Sequence, residues 1–437
     1  MTSDRWDVIV VGGGPAGGMA AWTAARAGLR TVLLEEHGEI GLPAHCSGKL
    51  SVHAFREFAL PTSLARTSLR AATLYAPDGS AATVRRREID SHVVDRDVFD
   101  RWLAEQAQAA GAELILGARA RRGTRENGLI AVEADRRGQT LTVRAAVVID
   151  AEGARTLLPE TLGLPQRRVL IQGLQYEMDG LRLDAADTPE LYFGREWAPG
   201  FFAWIMPLGP DSGRVGLCVD SRLTHRPPVY FLERLIAEHP VTSRRVRGAR
   251  IVRKLVGRIP ILGRRPSSYA PGLLVAGDAA GHVKATSGGG IYFSLVAGRL
   301  AAEAAEAILG GDSAALPWYE QAWRRRFGRE LVFTTAVRRT LNALPDPDLS
   351  RLIRSLAQNP PLRRTIEEHG DTQYQSRMLR PLLGQALHSW REIALAPPVL
   401  RAFVRGLFGI DQESLPPGLE AEPRTIEVRA ETSTHQS

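Results

Sequence analysis

Three glycines at fixed spacing mark the first place in this chain where chemistry can be done. Asp7-Val-Ile-Val-Val-Gly-Gly-Gly-Pro-Ala-Gly17 is an apolar run that ends in a turn with glycine at positions 12, 14 and 17. Gly12 permits a tight turn, Gly14 lets the backbone approach a pyrophosphate, and Gly17 lets a helix pack closely on a strand. Glu35 follows 18 residues after Gly17, where a carboxylate accepts from ribose hydroxyls. Glu36 reads as its solvent-facing neighbour. The elements that must position these residues are present as well. The apolar run lacks alternation, as in a strand covered on both faces. Residues 20–28 favour a helix, and Arg30 to Leu34 supplies a second strand. A helix starting at the turn would aim free N–H groups and its positive dipole end at phosphates. Strand, turn, helix, strand and acid together specify dinucleotide binding.

Two further signals favour FAD over NAD. Gly272-Leu-Leu-Val-Ala-Gly-Asp-Ala-Ala-Gly281 reads as a second buried strand ending in Gly-Asp. Thr286-Ser-Gly-Gly-Gly-Ile291 follows, then an alanine-rich helix from about Tyr292 to Leu309. Asp278 is placed to accept from a ribityl chain, and Gly288, Gly289 and Gly290 allow the backbone to approach a flavin ring. The third signal runs from Val93 to Leu103, with Phe99, Leu103 and Ala107 at helical spacing. Arg96 lies just ahead, where a guanidinium reaches the cofactor or, on the plainer reading, makes a surface salt bridge. Val147-Val-Ile-Asp-Ala-Glu-Gly153 closes another strand.

The fold expected is α/β: a Rossmann-type FAD-binding domain with an antiparallel-sheet substrate domain and a C-terminal helical region. The FAD-binding domain is discontinuous, in pieces 1–75, 90–160 and 265–310. Residues 161–264, with 76–89, form the cap sheet, on runs such as Leu191–Phe193 and Arg214–Val219. Residues 311–410 are the helical region, and 411–437 is a polar tail whose composition predicts no fixed structure.

Composition narrows the function classes. The only two cysteines, Cys46 and Cys218, leave no disulfide framework and cannot hold a four-thiolate cluster. No metal site is expected. The start leaves no room for a signal peptide before the first strand, and no apolar run approaches the ~20 residues of a membrane span. A cytoplasmic protein is expected, with membrane association through its C-terminal helices as one option. The net charge of +8 is concentrated between Trp318 and Ile410, where 15 arginines face 8 acids. Leu349–Leu356, Met378–Ile393 and Pro398–Ile410 are basic, apolar-faced stretches suited to an anionic bilayer or to packing on the flavin domain. No nucleic-acid motif accompanies the charge, so no nucleic acid is expected.

The chain resembles the geranylgeranyl reductase family of flavoproteins, within the group sharing the para-hydroxybenzoate hydroxylase fold. The resemblance covers about residues 5–335. It rests on the Gly12–Glu35 fingerprint, Pro43-Ala-His-Cys-Ser-Gly48, Phe202-Ala-Trp-Ile-Met-Pro207, and Gly277-Asp-Ala-Ala-Gly281 with its glycine triplet. It implies FAD contacts at Ala16, Glu35, Cys46, Ser47, Lys49, Arg96, Ala120, Asp278, Gly290 and Ile291. Phe202 stands where the family usually has tyrosine, Met206 where it has phenylalanine, Glu152 where many relatives have aspartate, and Lys49 where a small residue is commoner. These departures leave the substrate open.

The family reduces isolated double bonds of prenyl chains on a lipid, a diphosphate, chlorophyll or a quinone. An unactivated alkene has no carbonyl to polarise, so positioning and exclusion of water must carry much of the catalysis. Phe202, Trp204, Met206 and Pro207 are candidates for the wall of an apolar tunnel, with core packing as the alternative. No proton donor is identified; Cys46 is a weak candidate whose alternative is a small buried hydrophobe, and Cys218 fits that alternative better. With one dinucleotide fingerprint, the reductant is NADPH visiting the same face or a small electron-carrier protein. Three other readings compete: an aromatic monooxygenase on the same fold, a quinone-reducing dehydrogenase, and a non-catalytic flavin-binding protein of the membrane surface.

Overall fold

The computed structural model of the chain describes residues 5–165, 169–262, 267–378 and Pro381. The tail 411–437 and the stretches 382–393 and 398–410 lie outside the described residues.

The opening strand Arg5–Val11 runs parallel to Thr31–Glu35 on one side and to Gln139–Asp150 on the other. Val8 and Val10 join one hydrophobic core, while Ile9 and Val11 join another on the opposite face. The same division separates Leu33 from Val32 and Leu34, and Ile149 from Val148. Both faces of this sheet are covered, which is why its strands are apolar without alternation. Each fully buried Val, Ile or Leu contributes roughly 1.5–3 kcal/mol. The sheet continues through Leu273–Val275 and Tyr269–Ala270 at one end and Glu113–Leu116 at the other, with Ala118–Glu126 and Leu129–Arg136 as an antiparallel extension.

Helix Pro15–Arg26 packs against helices Arg96–Ala109 and Ile291–Leu309. Small residues permit the approach. A Cβ on Gly18 would meet Leu103 Cβ at 2.9 Å, and one on Gly298 would meet the Ala16 carbonyl oxygen at 2.2 Å.

The cap is a sheet of seven strands, in the order Arg250–Leu262, Val169–Asp179, Ser212–Val219, Ala203–Pro207, Glu190–Tyr192, Ala71–Tyr75 and Ala81–Arg85. One pair, Glu190–Tyr192 with Ala71–Tyr75, is parallel, so the cap is a mixed sheet rather than the antiparallel one expected. The parallel pair joins strands far apart in the sequence, which no hairpin connects. Ala71–Tyr75, upstream of 76–89, thus belongs to the cap sheet. Helix Pro228–Glu238 covers the cap's outer face, setting Phe231, Leu232 and Leu235 on Leu174, Tyr176 and Leu217.

After the glycine-loop helix, Ala315–Trp323 and Arg329–Ala343 are joined by the π-helical turn Arg324–Gly328. This region packs on the flavin domain: Tyr319 donates to the Val275 carbonyl at 2.7 Å, and the Trp323 indole donates to Ser268 Oγ at 2.8 Å. Of the three stretches expected to suit a bilayer, Leu349–Leu356 is described in full. Its Leu349 and Ile353 pack against Ala76 and Ala82, so its apolar face is used inside the protein. No described helix is long and apolar enough to cross a membrane.

Leu103, fully buried where helix Arg96–Ala109 meets helix Pro15–Arg26, tests this packing. Leu103→Ala should cost roughly 2–5 kcal/mol, read from urea unfolding followed by tryptophan fluorescence.

Candidate active site

The glycine turn is built by close backbone approach. Gly12 has φ +99°, and a Cβ there would lie 2.4 Å from the Ala151 carbonyl oxygen; one on Gly17 would lie 1.8 Å from that of Gly12. Gly14 differs, because the nearest atom to a Cβ placed on it is Arg96 Nη2, at 3.8 Å. The space ahead of the first helix is therefore open, and the helix begins at Gly14 with no side-chain cap on its N–H groups. Glu35 Oε2 accepts from the Gly13 N–H at 2.7 Å, and Oε1 from the His37 N–H at 2.9 Å, which ties the acid to the turn. Glu36 instead pairs with Arg155 and, at 3.4 Å, with Arg119.

Arg96 is the point on which the separated signals converge. Its guanidinium is paired with Asp100 at 2.6 Å, and the two side chains are only 17% and 3% exposed, so the surface salt bridge is ruled out. Burial opposes the charge on Arg96, but Asp100 together with Cys46 and Asp278 holds it protonated, above the ordinary arginine range. Asp278 follows the strand Leu273–Val275, and its Oδ1 lies 3.0 Å from where a Cβ on Gly290 would be. Helix Ile291–Leu309 starts there, again with no side-chain cap. Ala16 packs beneath, 2.8 Å from the position of a Cβ on Gly277. Two uncapped helix starts, an open cradle at Gly14, one cation and two well-placed acids fit FAD. The glycine turn would hold its pyrophosphate, Glu35 a ribose, and Asp278 with Gly290 and Ile291 the flavin end.

The cap grips the cysteine loop from the other side. Gln175, 3% exposed, donates to the Cys46 carbonyl at 2.9 Å and accepts from the Trp204 indole at 3.3 Å. Arg214, 2% exposed, donates to the Ser47 carbonyl at 2.9 Å and pairs with Glu177 and Asp95. Cys46 Sγ accepts from the Gly48 N–H at 3.3 Å. Gly48 is at φ +82°, with the Val94 carbonyl oxygen 2.1 Å from a Cβ position, so only glycine fits.

Along the strand Ala203–Pro207, alternation puts Phe202, Trp204 and Met206 on one face and Pro207 with Ala203 and Ile205 on the other. Phe202 stacks on Phe201 at 4.5 Å and meets Trp204 edge-on at 6.0 Å. They cluster with Ile171, Cys218, Ile261 and, from the flavin loop, Val283 and Ala285. Met206 belongs to a second cluster with Leu69, Val93 and Leu208, and Trp204 packs against both clusters. The structure thus brings Phe202 and Trp204 to the flavin loop and leaves Met206 and Pro207 outside that cluster. Burial pushes the Cys218 thiol up to about 12, as suits a buried hydrophobe.

Lys49 turns toward Asp90 and Thr372, at 3.4 Å from each. Ala120 has its side chain in the core beside Ile9 and Val32, opposite Ala134 at a bulge in the strand pair.

Four residues that sequence reasoning passed over also shape this place. Gln175 and Arg214 were marked only by being polar in apolar strands. Lys284 is buried between the Asp278 turn and the glycine triplet, and it donates to the Thr372 carbonyl. Burial, helped by Lys49, lowers it to about 8 against the pull of Glu330, Asp371 and Asp90. Arg338 is also buried. It donates to the carbonyls of Ala285 at 3.0 Å, Thr286 at 2.6 Å and Gly200 at 3.2 Å, and its guanidinium lies 4.1 Å from the Phe201 ring centre.

Fold and site together define an FAD-dependent oxidoreductase, and comparison with known proteins agrees. The family described as FAD dependent oxidoreductase matches residues 7–159, and the geranylgeranyl reductase catalytic domain matches 170–259. Digeranylgeranylglycerophospholipid reductase 2 of Methanopyrus kandleri is 34% identical over 82% of this chain and 92% of its own length. The digeranylgeranylglycerophospholipid reductase of Methanocaldococcus jannaschii is 32% identical over 82% and 92%. The solved structure of a geranylgeranyl bacteriochlorophyll reductase-like protein from Thermoplasma acidophilum superposes with a TM-score of 0.78 at 26% identity, covering 90% of this chain and 99% of that one. The chain belongs to the geranylgeranyl reductase family of FAD-dependent oxidoreductases.

Lys284 yields a pH test. Its folded pKa of about 8 lies below the ordinary value of 10.5, so the unfolded chain binds the extra proton between these values. Stability should therefore rise with pH from 8 to 10.5, and Lys284→Met should remove that rise in melting curves across the window. Arg338→Met should strip three carbonyls of their donor, at roughly 1–3 kcal/mol each, and lower the urea midpoint. Arg338→Lys, with one donor head, should recover part of that loss.

Proposed function

We propose that this protein saturates the isolated double bonds of geranylgeranyl chains on a glycerophospholipid. The observation that carries the reading is the apolar cluster of Phe201, Phe202, Trp204, Ile171, Ile261, Val283 and Ala285, set against the glycine loop of the flavin domain. Its side chains are apolar, and the nearby Arg338 cation is spent on backbone carbonyls and the Phe201 ring, which suits a hydrocarbon chain better than a polar substrate. The relatives named digeranylgeranylglycerophospholipid reductases, matched over most of their length, support the same class of substrate.

When bound and reduced, FAD would supply a hydride to one alkene carbon, and a proton would have to reach the other. The chain's own part is to place the alkene and keep water out. Gln175 fixes the Trp204 indole beside the aromatic cluster, and it anchors the Cys46 carbonyl from the same side chain. Gly216 makes room for this pair, since a Cβ there would lie 2.4 Å from Gln175 Cβ and 2.9 Å from Trp204 Cζ2. Arg338 holds Gly200, next to the aromatic wall, to the loop Ala285–Thr286. Rigid seating of this kind is what an unactivated alkene requires. The reductant, NADPH or a small electron-carrier protein, would reach the same flavin, because the sequence carries one dinucleotide fingerprint.

The test is anaerobic. Dithionite-reduced protein mixed with geranylgeranyl glycerophospholipid should be reoxidised, with each reduced double bond adding two hydrogens to the lipid's mass. Reduced flavin that ignores the lipid but is consumed by oxygen with an aromatic compound would give the site to monooxygenase chemistry instead.

A further inference from the structure

The outermost strand of the cap, Arg250–Leu262, exposes side chains that a strand at the end of a sheet ordinarily hides. Ile251 is 41% exposed, Val252 53% and Val256 67%, and the exposed Lys254 and Arg258 lie among them. Exposed branched apolar side chains grouped along one strand are the kind of surface that marks an interaction. The charge around it is one-sided: residues 222–258 carry ten basic side chains against two acids, Glu233 and Glu238. Several of the arginines are committed, Arg253 to Glu177 and Asp97, Arg245 to Asp184 and Glu190, Arg234 to Glu196 and Glu238. Lys254 and Arg258 form no ion pair among the described residues; Lys254 lies 5.3 Å from the Tyr176 ring centre.

A protein adding its own strand here would meet a poor template. The register slips between Glu177 and Met178 opposite Arg253 and Ile251, and a bulge and a lysine are the usual means of blunting an edge. What remains on offer is a side-chain face of branched apolar groups between cations. That combination suits the boundary between lipid headgroups and acyl chains, where apolar groups are buried and basic groups meet anionic phosphates. The strand also borders the site. On its inner side, Gly257 brings the backbone to the cysteine loop, where a Cβ would lie 3.1 Å from the His45 carbonyl oxygen.

We propose that the exposed face of this strand, with Ile251, Val252, Lys254, Val256 and Arg258, docks on an anionic phospholipid bilayer from which the prenyl lipid is taken. The proposal rests on the reductase reading for its purpose, and its test is independent of that reading. Full-length protein is floated with vesicles of phosphatidylglycerol and phosphatidylcholine, and with phosphatidylcholine vesicles alone. Binding should need the anionic lipid and weaken with salt. Val252→Ser with Val256→Ser, and separately Lys254→Glu with Arg258→Glu, should each reduce the bound fraction at least about ten-fold; each basic group near such a surface is worth roughly a factor of five. Turnover of detergent-dispersed lipid should stay within about two-fold in both variants, since neither pair belongs to the aromatic cluster at the flavin loop. Wild-type protein that does not float, or variants that float as well as wild type, would overturn the docking face. The same holds if the charge variant binds vesicles normally but is reduced slowly by an acidic carrier protein, which would give the face to that partner. Floating that depends on these residues, with no reduction of any prenyl lipid, would leave the docking face standing and remove the reductase reading.

Discussion

A side chain on Gly17 would collide with the Gly12 carbonyl, and one on Gly298 with that of Ala16, so the first helix sits where it does only because three backbones touch. The rest of the site inherits its geometry from that contact. It points the uncapped start of helix Pro15–Arg26 into open space at Gly14, and it brings helix Ile291–Leu309, with its own uncapped start, against the same region. Two helix dipoles are thereby aimed at one place, where anionic groups are stabilised. Arg96 adds a full positive charge, held by Asp100 in a setting where neither group is free to turn toward solvent.

The second constraint is how a cap made of another sheet is held over loops that have little secondary structure of their own. Backbone carbonyls in those loops need donors, and buried side chains from elsewhere provide them. Gln175 and Arg214 reach from the cap to Cys46 and Ser47; Arg338 reaches from the C-terminal helices to Ala285, Thr286 and Gly200. A buried carbonyl left without a donor is expensive, so each clamp orders the loop it serves. Arg338 bears the cost of burial most plainly, being lowered to about 9 by desolvation that Cys218 and Asp220 only partly offset. Its place over the Phe201 ring adds a cation–π contact on a second side.

The segment Asp371–Ser376 closes the back of the glycine loop. Thr372 takes Lys284 and stands beside Lys49, Gln375 accepts from Thr286 at 2.8 Å, and Glu330 accepts from the N–H groups of Gln375 and Ser376. Lys49 is thereby drawn into a charged cluster with Asp90, whose carboxyl is lowered to about 2 by Lys49, Thr372 and Arg86 in spite of its burial. The C-terminal helices are therefore part of the frame around the flavin loops, and their arginines are largely spent on internal pairs such as Arg326 with Glu57 and Arg354 with Asp78.

The dinucleotide turn, the Gly-Asp strand end, the glycine triplet and the family were legible in the sequence because each depends on short-range spacing. Gly17, forced by the Gly12 carbonyl five residues before it, leaves the same mark wherever the rest of the chain goes. Strands covered on both faces were equally plain, since Val8 to Val11 must be apolar throughout. The mixed cap sheet, the clamps of Gln175, Arg214 and Arg338, and the division of Phe202 from Met206, with Trp204 between them, were not legible. They depend on contacts between residues as far apart as Gly200 and Arg338, which no local pattern encodes. The basic charge misled in the same way. The C-terminal region carries 15 arginines against 8 acids, but residues 222–258 are denser in net positive charge, and only the tertiary structure decides which cations pair among the described residues and which, like Lys254 and Arg258, face outward beside exposed valines.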